Sequence, residues 1–331
     1  MSSALAVAHP NVALAKYWGK RARAGNFPAV PSLSVALGAL TTTTRVAFDA
    51  SLARDAFVLG GRDASEEEHA RVAAILDRVR AASGERRFAR VESRNDFPTA
   101  SGLASSASGF AALALAASAA ARCDFSETRV SDLARRGSAS AARSVFGGFV
   151  ELEAGAESGR EDDVLGARAV APADALDARV LVCVVTEERK SSSSRDAMEK
   201  SARESAYYAA WLADARKTFD AMKIALDARD LSRVGALTEH SALAMHAVAM
   251  AAGIVYVRDV TLALYRAVAD VRARGALAFA TSDAGPHVKV LVATRDASRV
   301  HDELAGVPGV LRVIDSPIGG GARLVRAEDA R

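Results

Sequence analysis

Five short stretches hold the residue types that chemistry needs. In "KYWGK", Lys16 and Lys20 bracket Tyr17 and Trp18. Two ammonium groups four residues apart, on one face if the segment is helical, can receive a polyanion, with Tyr17 adding a hydroxyl. A solvated lysine pair beside a core aromatic explains the same letters. In "RRGSASAARS", Gly137 interrupts a helical pattern and Ser138, Ser140 and Arg143 follow. Arg143 can fork a carboxylate or phosphate; in isolation, a helix cap with a surface arginine fits better. In "ATSDAGPHV", Asp283 stands where an apolar run meets an Ala-Gly-Pro turn. That is a place for a general base, but on these residues alone an Asx-turn fits better. In "ERKSSSSRDAM", Ser193, Ser194 and Arg195 precede a long helical pattern and can meet an anion, or form a plain linker. The fifth stretch, "PTASGLASSAS" (98–108), places Pro and Gly before small residues that run into an Ala-rich helix. Such a helix start offers unpaired backbone N–H groups and a favourable dipole to a phosphate, and Ser105 and Ser106 can add hydroxyls; on composition alone, a Ser-rich helix start with ordinary caps fits better.

Other chemistries find little support. The six histidines show no metal spacing, and the two cysteines, Cys123 and Cys183, stand alone, which points to neither a zinc site nor a disulfide framework. There is no GxSxG, no GxxxxGK[ST] and no GxGxxG after a strand. The net charge of +3 is spread along the chain without a basic run carrying aromatics, so a nucleic acid is not the expected partner. The charge-free run 97–121 raises a membrane question. Pro98, Gly102 and several Ser leave only about a dozen consistently apolar residues, which suit a buried helix. No signal peptide is evident at the N-terminus, and the chain reads as cytoplasmic.

The elements that must position these residues follow from pattern. Segments 32–48, 56–60, 87–93, 146–155, 180–186, 276–281, 288–294 and 311–315 are rich in strand formers or continuously apolar. Val72, Ile75, Leu76 and Val79 mark the apolar face of a helix over 64–82 that ends near Gly84. Helices are expected over 104–121 and over 125–136, the latter capped by Ser126. Most of the second half is helical. The order does not follow a regular βαβ repeat, so the fold class is α+β, with a boundary near 175 giving units of 1–175 and 176–331.

The order of the motifs is more specific than any one of them. "PTASGLASS" resembles the phosphate loop of the GHMP kinase superfamily. Within it, "KYWGKR", "NDFPTASGLASSASGFAAL", "RRGSASAARSVFGGFV", "SSRDAM" and "SDAGPH" look like the diphosphomevalonate decarboxylases, in family order as far as about residue 290. The resemblance implies a GHMP kinase fold, with a ribosomal-S5-like N-terminal domain and a ferredoxin-like C-terminal domain. It implies ATP-dependent decarboxylation of mevalonate 5-diphosphate with Mg²⁺, no side chain being assigned to the metal, and a homodimer. It also implies roles. Asp283, Lys16 and Arg143 would be catalytic, with Lys16 close to Asp283. Asn11, Tyr17, Lys20, Ser138, Ser140, Ser194 and Arg195 would hold the substrate. Pro98, Ser101, Gly102, Leu103, Ala104, Ser105 and Ser106 would cradle ATP. Pro31, Ala36, Ala139, Ser282 and His287 depart from the family's usual residues and bear on pocket shape. A 3-kinase, a monophosphate decarboxylase, another small-molecule kinase and an inactive binding protein stand as alternatives. Retention of Asp283, Lys16 and Arg143 together favours the decarboxylase.

Overall fold

The computed structural model describes residues 2–97, 104–188 and 193–326. Pro98, Ser101, Gly102 and Leu103 of the expected phosphate loop therefore lie outside the described residues. The chain opens with β1 (Ser2–Ala8), β2 (Asn11–Ala15), β3 (Ser32–Ala36), β4 (Thr42–Asp49), β5 (Ala56–Leu59) and β6 (Arg62–Asp63). Then come α1 (Glu66–Ser83), β7 (Phe88–Asn95), α2 (Ser105–Ala120), α3 (Glu127–Gly137) and a 3₁₀ helix (Ala139–Val145). After β8 (Phe149–Leu152), β9 (Arg168–Ala171) and β10 (Ala178–Val184), four helices follow: α4 (Ser194–Glu204), α5 (Tyr208–Asp227), α6 (Leu231–Ala251) and α7 (Asp259–Ala273). The last elements are β11 (Ala278–Ser282), β12 (Val288–Ala293), α8 (Ala297–Ala305), β13 (Arg312–Pro317) and β14 (Arg323–Val325).

Local chemistry sets the helix ends. Ser65 and Glu68 form a reciprocal capping box at α1, and Gly84 closes that helix at φ 74°, a conformation glycine adopts without steric cost. Ser126 caps α3 by accepting from the Arg129 N–H. Helix α2 differs. Its N-cap is Ala104, at φ 58°, which brings no side-chain oxygen to the first turn.

Three sheets organise the strands, in the orders β14-β1-β4-β7-β5-β6, β2-β3-β8-β9 and β11-β12-β10-β13. Helix α2 packs on β1 and β4. A second core joins the other two sheets. It contains Val12, Leu14, Leu33 and Val35 from β2 and β3, Val180, Val182 and Leu291 from β10 and β12, and Phe219 and Met222 from α5. Each such side chain, once buried, contributes roughly 1.5–3 kcal/mol. Helix α6 lies against both β2 and β11, so it aligns the ends of two strands from different sheets. The C-terminal segment returns across the molecule: the Gly148 N–H donates to Gly319 O, the Ala322 N–H donates to Val145 O, and β14 pairs with β1.

Two expectations are corrected here. Lys16 and Lys20 do not share a helix face, because β2 gives way to irregular backbone and Lys20 bridges Pro28. Arg143 is not a surface residue. It is 2% exposed, because the chain after Gly137 tightens into a 3₁₀ helix beneath β3. Among the described residues, no helix is long and apolar enough to cross a membrane.

Candidate active site

Asp283 follows directly on β11. Its carboxylate does not close an Asx-turn; the turn bond runs instead from the Gly285 N–H to the Asp283 backbone oxygen. Lys16 Nζ lies 2.7 Å from Asp283 Oδ1, and Lys289 Nζ, on β12, lies 3.2 Å from Oδ2. The two lysine side chains are 1% and 3% exposed, whereas that of Asp283 is 28% exposed. Burial pushes the Asp283 carboxyl up, but Lys16 and Lys289 outweigh it and hold the group well below the usual carboxylate range. Burial pushes the Lys16 ammonium down, against the pull of Asp283. Helix α6 fixes both sides of this pair. Ser241 Oγ accepts from the Lys16 backbone N–H at 3.0 Å, and His246 Nε2 lies 2.8 Å from Ser282 Oγ.

Arg143 is held by neutral groups. Its Nε donates to Ser34 Oγ at 3.0 Å, Nη1 to Ser32 Oγ at 2.7 Å and Nη2 to Asn11 Oδ1 at 3.4 Å. Asn11 is itself oriented by donating from Nδ2 to Ser144 Oγ and to Ser140 O. Among the described residues, Arg143 has no ion pair. Burial lowers its pKa to about 10 despite the attraction of Asp283. A buried cation ringed by hydroxyls and an amide, with no ion pair among the described residues, is prepared for a ligand's anion.

Both groups face one cleft of about 550 Å³. Its lining includes Asn11, Lys16, Tyr17, Lys20, Ala104, Ser105, Ser106, Ser138, Ser140, Arg143, Ser194, Arg195 and Asp283. Every described residue given a catalytic or binding role from the sequence thus lines the same cavity, whereas Pro31, Ala36, Ser282 and His287 do not line it. Two helix N-termini reach it as well, those of α2 and of α4, the latter capped by Ser193. Tyr17 Oη is buried without a hydrogen-bond partner among the described residues. Lys20 Nζ donates to Asn26 Oδ1 at 2.8 Å, and burial, reinforced by Arg195, lowers its pKa to about 8.

Sequence reasoning missed Lys289, Arg71 and Asn26. Arg71, on α1, lines the cleft, donates to Gly137 O at 2.9 Å and stacks over Phe110. It read as part of a solvated charged face. Lys289 carried a usable signal, since it is the one charge within the apolar run of β12.

The comparisons with known proteins agree with this geometry. Residues 8–164 match the diphosphomevalonate decarboxylase-like N-terminal domain, and residues 180–310 match the mevalonate 5-diphosphate decarboxylase C-terminal domain. A diphosphomevalonate decarboxylase of Candida albicans is 30% identical over 348 residues, covering 98% of this chain and 96% of the relative. The chain belongs to the diphosphomevalonate decarboxylase family. A phosphomevalonate decarboxylase of Haloferax volcanii is 33% identical over 324 residues, covering 94% of this chain and 98% of the relative. The mevalonate diphosphate decarboxylase of Enterococcus faecalis superposes with a TM-score of 0.88 at 35% identity, over 98% of this chain and 99% of that one. A solved complex of MDDEF with MVAPP, AMPPCP and magnesium matches equally well. The family fold is that of the GHMP kinases, and the α+β arrangement of this chain agrees with it.

Proposed function

We propose that this decarboxylase converts mevalonate 5-diphosphate and ATP to isopentenyl diphosphate, ADP, phosphate and carbon dioxide. The observation that carries the reading is the pairing, across one cleft, of an ionised Asp283 with a buried Arg143 that has no ion pair among the described residues. Arg143 forks the substrate carboxylate, with Asn11 beside it. Asp283 orients the 3-hydroxyl toward the γ-phosphoryl of ATP. A carboxylate held this low is a weak base, so it takes the proton late, as the oxygen bonds to phosphorus and the hydroxyl becomes acidic. Lys16 keeps Asp283 ionised and offsets the charge on the transferred group. The C3–O bond then breaks with phosphate as leaving group. The C1–C2 bonding pair becomes the C2=C3 double bond, and carbon dioxide departs.

The diphosphate end is assigned to Tyr17, Lys20, Ser138, Ser140, Ser194 and Arg195. The orphaned Tyr17 hydroxyl and the neighbouring cations Lys20, Arg71 and Arg195 support it. The ATP phosphates are assigned to Ala104, Ser105 and Ser106 at the start of α2, together with Pro98, Ser101, Gly102 and Leu103 of the sequence motif. Among the described residues, no cluster of three acidic, His or Cys side chains could hold a metal. The serine hydroxyls nonetheless fit a magnesium ion brought in by ATP and bound mainly through phosphate oxygens and water. When bound, that ion neutralises phosphate charge. We also read the chain as two units, 1–175 and 176–331, in a cytoplasmic homodimer. Exposed Leu243 and Met250, seven residues apart on α6, are suited to a subunit contact.

A monophosphate-specific reading is favoured by one observation, the Haloferax relative. One assay decides. The protein is incubated with ATP, Mg²⁺ and mevalonate, its 5-phosphate or its 5-diphosphate, and carbon dioxide and ADP are followed together. Both products from the diphosphate are expected. ADP without carbon dioxide would make the chain a 3-kinase, and turnover of the monophosphate alone would make it the sister decarboxylase.

A further inference from the structure

Lys289 is an unusual residue for its place. Strand β12 is interior to its sheet, between β11 and β10, and all six of its residues are buried. Val288, Val290 and Val292 pack into one core and Leu291 into another. An ammonium group in such a strand is costly unless something specific compensates it. The compensation here is Asp283 Oδ2, at 3.2 Å, on the oxygen that Lys16 does not hold.

We propose that Lys289 is a positioning residue of the reaction, acting through Asp283 by fixing the plane in which its carboxylate meets the substrate hydroxyl. This rests on the decarboxylase reading above. With Lys16 alone, the carboxylate is tied by one oxygen and can turn about its Cβ–Cγ bond. With an ammonium on each oxygen that rotation is stopped. Each carboxylate oxygen accepts more than one hydrogen bond, so two lysines leave acceptor positions for the substrate. The exposure of Asp283, set against the burial of both lysines, puts those positions on the cleft side. Groups on other elements complete the surroundings: Arg143 and Tyr265 interact with Asp283 electrostatically, and His246 and Tyr265 meet Ser282 just before it. None of them ties Oδ2. Among the described residues, Lys289 supplies the second restraint.

The test is a double-mutant cycle in the full chain, with kcat and KM measured for ATP and mevalonate 5-diphosphate. Lys289→Met is expected to lower kcat by about 10- to 100-fold, the cost of a misaligned reacting group, while KM stays within about twofold. In the Asp283→Asn background, adding Lys289→Met is expected to cause no further loss, because the group through which it acts is gone. A Lys289→Met enzyme with wild-type kcat, or a double variant slowed by the product of the two single effects, would overturn the proposal. Lys289→Gln provides a second neutral variant if Met is not accepted. If neither folds, Lys289 belongs to the fold and the proposal falls. The underlying reading fails separately, through a wild-type protein that releases no carbon dioxide or an Asp283→Asn variant that keeps full rate.

Discussion

Two lysines, Lys16 and Lys20, illustrate how burial turns one side-chain type to two purposes. Lys16 is sealed against Asp283, whereas Lys20 stands near the cleft mouth with Arg195 and Arg71 close by. Asp283→Asn keeps the shape of the acid and removes its charge, so kcat should fall roughly 10²-fold or more, as read from carbon dioxide release. Lys20 is a cation below about pH 8 and loses its charge as the pH rises through that value. If it grips the diphosphate, kcat/KM for the substrate should decline on the alkaline side of pH 8. Lys20→Arg, which stays charged, should flatten the decline; a limb that persists unchanged in that variant would assign it to another group. Much of this scale was legible in the sequence. Asp283, Lys16 and Arg143 stood out by type and motif. The burial of Arg143 was not legible, because it depends on Ser32 and Ser34, more than 100 residues away in the chain.

Helices announced themselves better than strands. The Ser65–Glu68 box, Gly84 and Ser126 are local signals, and α1 and α3 fall close to where they point. Strands β1 and β2 were missed. All five residues of β2 are buried, so it shows no alternation of polar and apolar residues, and its partners are set by the tertiary fold. The 3₁₀ helix carrying Arg143 begins just after Gly137, the last residue of α3. A Cβ on Gly137 would overlap the Phe110 ring of α2. Gly137→Ala should therefore destabilise the protein by about 1–3 kcal/mol through overpacking, read as a lower urea midpoint. An unchanged midpoint would show that Phe110 can move aside.

At the scale of the molecule, the cleft is built where two sheets meet beneath α6, and that helix carries a cost at low pH. His246 is buried, and burial lowers its pKa from 6.5 to about 4. Between those values the unfolded chain binds a proton that the folded chain refuses. Stability should therefore fall as the pH drops from 6.5 toward 4, by roughly 3 kcal/mol in total at about 1.4 kcal/mol per pKa unit. Melting temperatures across that window check this, and His246→Asn should reduce the slope. Neither this nor the return of the C-terminal segment was legible in the sequence, since one buried histidine carries no local signal and the three residues of β14 are too short to form a pattern. That return has a consequence for synthesis. Until Arg323–Val325 have left the ribosome, β1 has an open edge with no β14 to cover it, and Val145 lacks the Ala322 N–H that donates to its carbonyl. The nascent N-terminal half thus exposes a strand edge prone to pairing with other chains for as long as translation continues. Slow codons late in the message should lower the soluble yield more than slow codons early in it.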